Sequence, residues 1–164
     1  MNKGWLIVYR IVGILISFYA YMFLFSCLGA LFSGAQVPYL LILVFIAACL
    51  VIYSVLSNMF GRLVLAMKQP IRASLKDWIK INAMVSVVVY GLLLFCMLML
   101  VTASGLVEQS LRQHPEMLQI APTVTLTTTQ FWAFIKGFLI LCLLISGHCI
   151  WTLVLVRRFR EYFK

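Results

Sequence analysis

Charge is what this sequence has least of. Of its 164 residues 10% are charged and 65% are hydrophobic, whereas a soluble domain carries about 25% charged residues. So little polar surface cannot cover a globule in water, so lipid is the expected solvent for most of the chain. Acid is scarcer still, limited to Asp77, Glu108, Glu116 and Glu161. None of these falls in a hydrophobic run, which leaves out the intramembrane carboxylate that a proton-coupled carrier usually needs. The five cysteines (Cys27, Cys49, Cys96, Cys142, Cys149) form no C-x-x-C pair, which argues against thiol–disulfide exchange and leaves them as small hydrophobes. Gly/Ser linkers, long charged tails and low-complexity stretches are missing, so a single domain over 1–164 is expected. There is also no nucleophile–base pair, phosphate loop or metal-ligand spacing. The expectation is therefore no cofactor, no metal and no enzymatic role except as a subunit of something larger.

What the chain does have is four long apolar runs, about 5–32, 39–60, 81–104 and 131–156. Each matches the roughly 20 residues that a helix needs to cross a hydrocarbon core. Lys3 and Arg10 ahead of an apolar stretch invite comparison with a signal peptide, and Ser33-Gly34-Ala35 resembles a cleavage site. The first run, however, is far longer than the roughly 7–15 apolar residues of a signal peptide. Leu24-Phe25-Ser26-Cys27 resembles a lipoprotein box, but Phe25 is bulky where small residues are usual. A retained span is the better reading. The expected fold is all-α, a polytopic bundle of four transmembrane helices.

The basic residues orient that bundle. Net charge is +9, and Arg62, Lys68, Arg72, Lys76 and Lys80 supply five of the thirteen Lys and Arg residues. Lys3, Arg10, Arg157, Arg158, Arg160 and Lys164 join them on one side of the threading. The polar loop 105–130 on the other side carries Arg112 alone. The positive-inside rule then puts both termini in the cytoplasm and the 105–130 loop outside. Within the basic segment 62–80, Ile71, Leu75, Trp78 and Ile79 share one helical face beside Arg72, Lys76 and Lys80. This predicts an amphipathic turn or two on the lipid surface, running into the third span. Anionic lipid is the expected partner of this group and of Arg157, Arg158 and Arg160. None of the basic clusters has the interleaved aromatics of a base-stacking groove, so nucleic acid is not expected. Thr128 or Thr129 is a candidate N-cap for the fourth span.

Polar residues at depth are the candidate functional groups. Arg10, Ser17 and Tyr21 lie near one stripe of the first span, where Gly13 and Ser17 form a small-xxx-small pair. Ala47, Ser54, Asn58 and Gly61 line up on the second, and Asn82, Ser86 and Tyr90 are spaced i, i+4, i+8 on the third. His148 is the one histidine within a span. These residues either pack helices together or line a small polar pocket with Arg10 or His148 as its reactive group. A haem or quinone-type lipophilic cofactor is a third reading; bis-histidine ligation would need two copies of His148 in a symmetric dimer. Lys136 is read as an anchor that snorkels outward along Phe131, Trp132 and Phe134.

The ending His148-Cys149-Ile150-Trp151-Thr152-Leu153 followed by Arg157-Arg158-Phe159-Arg160-Glu161-Tyr162-Phe163, with Lys80-Ile81-Asn82-Ala83 entering the third span, resembles small four-span bacterial inner-membrane proteins of unknown function. The resemblance implies a four-helix membrane bundle in a bacterial cytoplasmic membrane and no known activity. A non-enzymatic accessory, assembly or immunity-type protein in a homo- or hetero-oligomer is the expectation, with a small oligomeric transporter or channel as the alternative.

Overall fold

The computed structural model describes residues 3–33, 40–121, 124–125 and 127–163. Five α-helices account for most of them: α1 (Lys3–Phe32), α2 (Leu40–Phe60), α3 (Ala73–Thr102), α4 (Ser104–Gln113) and α5 (Thr128–Arg158). Four stretches, Gly4–Phe32, Leu40–Ala66, Ala73–Thr102 and Thr128–Arg158, are long and apolar enough to cross a membrane. At about 1.5 Å per residue each exceeds a hydrocarbon core of about 30 Å. The chain is a multi-pass membrane protein. The turn expected before the second span lies outside the described residues except for Ser33, as does Tyr39.

The expected outer loop is more ordered than its composition suggests. Its first part is α4, with Leu111 buried. A 3₁₀ turn, Pro115–Leu118, follows. Then comes a short antiparallel ribbon, β1 (Gln119–Ala121) with β2 (Val124–Thr125). The fourth span begins one residue earlier than the candidate caps. Thr127 Oγ1 accepts from the Gln130 amide at 3.2 Å, and Gln130 Oε1 accepts from the Thr127 amide at 2.9 Å. This reciprocal capping box makes Thr127 the cap and places Thr128 and Thr129 inside the helix.

Packing divides the chain into two compact units, residues Met1–Val89 with Ile145–Lys164, and Tyr90–Leu144. In the first unit, α2 ends in a π-helical stretch, Gly61–Ala66, where the Met67 amide reaches back to the Arg62 carbonyl at 3.3 Å. Lys68 takes a left-handed conformation at φ 57°, uncommon for a residue with a Cβ. That reversal carries its ammonium over the Phe159 ring at 4.6 Å and towards Tyr162 at 5.9 Å, contacts that help offset the strain. The Ile71 amide then donates to the Tyr162 carbonyl at 2.8 Å. Phe163 stacks on Phe60, ring centroids 5.9 Å apart.

This C-terminal turn changes the reading of residues 62–80. They form no separate surface helix: Arg62–Ala66 extends α2, and α3 begins at Ala73. Ile71 and Ile79 are buried in a cluster with Tyr9, Phe60, Val64 and Val156, and Leu75 packs against it. Trp78 alone of the expected apolar face is exposed. The face turns inward because the chain's own ending supplies apolar cover. Arg62, Lys68, Arg72, Arg157, Arg158 and Arg160 are all exposed, while Lys76 and Lys80 are half-buried.

Candidate functional site

Two pairs of residues one helical turn apart build the polar centre of the first unit. Tyr53 and Ser57 share a face of α2, and His148 and Thr152 share a face of α5. Tyr9 of α1 meets both pairs. Its Oη lies 2.6 Å from Ser57 Oγ and 3.0 Å from Thr152 Oγ1. Tyr53 Oη lies 2.8 Å from His148 Nδ1 and 2.8 Å from Thr152 Oγ1. The Thr152 hydroxyl also reaches the His148 carbonyl at 2.9 Å, and His148 Nε2 lies 3.2 Å from the Tyr9 carbonyl. The Tyr9 ring stacks on the imidazole at 4.6 Å and 25°. Tyr9, Tyr53, Ser57 and Thr152 are 0% exposed and His148 3%.

The bonding pattern assigns the histidine tautomer. A carbonyl oxygen only accepts, so Nε2 carries the proton and donates to Tyr9. In the neutral ring Nδ1 is then the acceptor for the Tyr53 hydroxyl. Thr152 is the hub, shared among Tyr9, Tyr53 and its own helix. The network joins α1, α2 and α5 and satisfies groups that would each cost several kcal/mol if left bare in a bilayer core.

A second, smaller bond set lies one turn along α1. Ser17 Oγ donates to the Gly13 carbonyl at 2.8 Å and accepts from Asn58 Nδ2 at 2.7 Å. A Cβ on Gly13 would stand 2.6 Å from Asn58 Oδ1 and 3.5 Å from His148 Nε2. The small-xxx-small pair of α1 thus sits where α2 and α5 approach it closely. Ser17→Ala, Asn58→Ala and the double variant, unfolded in detergent, should give a coupling energy of about 0.6 kcal/mol for this interhelical bond. Additive effects would mean that the two side chains do not interact.

The other sequence candidates are dispersed. Arg10 and Tyr21 are exposed. Ser54 bonds the Val51 carbonyl of its own helix, and Asn82 bonds the Trp78 carbonyl of its own. Ser86 Oγ is buried and has no hydrogen-bond partner among the described residues. Tyr90, also buried, belongs to the second unit. Of the predicted set, Ser17 and Asn58 bond each other, and His148 lies beside them across Gly13. A cleft of about 390 Å³ next to Asn58 is lined by Met59, Arg62 and Leu63, so its charged group is Arg62 rather than Arg10 or His148.

Sequence reasoning missed Tyr9, Tyr53, Ser57 and Thr152. Each is adjacent to, or one turn from, a residue that it singled out: Arg10, Ser54, Asn58 and His148. The readable signal was the pair of i, i+4 spacings, Tyr53/Ser57 and His148/Thr152. The second-span stripe runs through Ser54 and Asn58, one residue and about 100° round the helix from Tyr53 and Ser57. All five cysteines are free, with Cys96 exposed and the other four buried. Among the described residues no three His, Cys, Asp or Glu side chains come together to hold a metal ion. No protein-family model, curated protein or solved structure matches this chain.

Proposed function

We propose that this chain is a non-enzymatic accessory, assembly or immunity-type protein of a bacterial cytoplasmic membrane, acting through helix–helix contacts with a partner or with further copies of itself. In this reading both termini, the basic end around Arg62, Arg72 and Arg157–Arg160, and bound anionic lipid lie on the cytoplasmic side. One observation carries the reading: the deep hydroxyl, imidazole and amide groups of the first unit bond mainly to one another across α1, α2 and α5. Chemistry at depth is thereby spent on holding helices together. The outward surface is apolar, as on α3, where Ile81, Met84, Val88, Leu92 and Phe95 are exposed.

The same geometry weighs against the alternatives. Both ring nitrogens of His148 already have partners, Tyr53 and the Tyr9 carbonyl, so iron ligation would have to break one of these bonds. A water path along Ser54, Asn58, Asn82 and Ser86 would need groups that are instead buried or bonded locally.

Native mass spectrometry of the protein, extracted in mild detergent from its own membrane, tests the proposal. A defined mass containing a second polypeptide or a fixed number of copies is the expected result. A monomer carrying a bound chromophore or solute would count against it. In a cysteine-free background, Ser54→Cys, Asn58→Cys, Asn82→Cys and Ser86→Cys should all resist a hydrophilic thiol reagent added to sealed vesicles. Rapid labelling at two or more of them would favour the transporter or channel reading.

A further inference from the structure

In the second unit, a cleft of about 560 Å³ opens between α4 with the end of α3 and the first turns of α5. Its size is that of a small-molecule site, about 300–1,000 Å³. Ser104 and Glu108, one turn apart, line one side, and Thr129, Trp132 and Lys136, at i, i+3 and i+7, line the other; Val101 adds apolar wall. An ammonium and a carboxylate thus face one void, yet Lys136 and Glu108 form no ion pair with each other or with any other described residue. Trp132 Nε1 is buried and has no acceptor among the described residues.

From these groups we infer that the cleft holds the head group of a zwitterionic phospholipid bearing a primary ammonium. The phosphate takes the donors that line the cleft, namely the Lys136 ammonium and the Ser104 and Thr129 hydroxyls. The lipid ammonium, with three N–H donors, takes the Glu108 carboxylate. Glu108 repels a purely anionic head group, and a quaternary ammonium has no N–H to offer it. The cleft lies where two membrane-spanning stretches, Ala73–Thr102 and Thr128–Arg158, end. That is the level at which lipid head groups and interfacial tryptophans sit. A lipid is therefore favoured over a free zwitterion, because its acyl chains continue into the bilayer beside Val101.

The test is native mass spectrometry of the full chain in detergent with equimolar phosphatidylethanolamine, phosphatidylcholine and phosphatidylglycerol of matched acyl chains. The wild type should retain phosphatidylethanolamine several-fold more than phosphatidylcholine. Glu108→Gln should abolish that preference, and Lys136→Met should lower retention of both lipids. Equal retention by the wild type overturns the proposal, as does preference for phosphatidylglycerol or an undiminished preference in Glu108→Gln. Soluble glycerophosphoethanolamine that displaces the lipid at equal concentration overturns the lipid assignment. The wild-type comparison needs no substitution, so a variant that misfolds does not rescue the idea.

Discussion

His148→Ala should destabilise the folded protein in detergent by about 3 kcal/mol, the scale of emptying a large side chain from a packed interior. The substitution removes the ring that stacks on Tyr9 at 4.6 Å, the acceptor of the Tyr53 hydroxyl and the donor to the Tyr9 carbonyl. It leaves a void among side chains that are wholly buried. His148→Phe keeps an aromatic face against Tyr9 but neither hydrogen bond. It should cost less, about 1–2 kcal/mol, because single interhelical bonds in membranes average about 0.6 kcal/mol. Tyr53→Phe, which removes one hydroxyl and leaves the ring, should cost about 1 kcal/mol. Thermal or SDS-driven unfolding followed by circular dichroism would rank the three. If His148→Ala cost no more than Tyr53→Phe, the stack and the filled volume would contribute nothing and the assigned centre would be wrong.

Gly61→Leu should prevent α1 from docking on the π-helical end of α2. A Cβ at Gly61 would stand 2.9 Å from Tyr9 Cε1 and 3.3 Å from Tyr9 Cδ1. The Tyr9 ring cannot step aside easily, being stacked on His148 and bonded through its hydroxyl to Ser57 and Thr152. Even Gly61→Ala should cost about 1–3 kcal/mol, the usual range for overpacking. The three further carbons of leucine should reduce the folded fraction sharply, read as the monodisperse peak in size-exclusion chromatography. Gly29 on α1 is the control, since a Cβ there meets nothing within 4 Å. Gly29→Ala should be neutral or slightly stabilising because alanine is the better helix former. Equal behaviour of the two alanine variants would show that α1 does not approach α2 at Gly61.

Much of the architecture was legible because span formation depends on length and apolarity alone. Runs of more than 20 apolar residues have no low-energy alternative to helix in lipid, so the four spans follow from composition. The segment 105–130 reads as a polar loop because α4 is short and its polar face dominates; that Leu111 is buried is a property of its neighbours. Thr127 was passed over as a cap because three hydroxyl residues stand in a row before Phe131, and only the Gln130 partnership distinguishes the first of them.

The sequence by itself determined how many helices are long and apolar enough to cross a membrane, most of their ends to within a few residues though not the end of the second or the start of the third, and that His148, Ser17 and Asn58 belong to helix contacts or a site. Tertiary structure alone decided which faces meet. In water, the apolar face of a helix marks the core; in lipid, both the buried and the outer faces are apolar, so periodicity carries no such mark. That is why no sequence pattern singles out Tyr9 and Tyr53, which hold the centre of the first unit. It is also why Ile71 and Ile79, read as facing lipid, turn inward. Their cover comes from Val156 and the Tyr162–Phe163 ending, contacts far apart along the chain that no local pattern encodes.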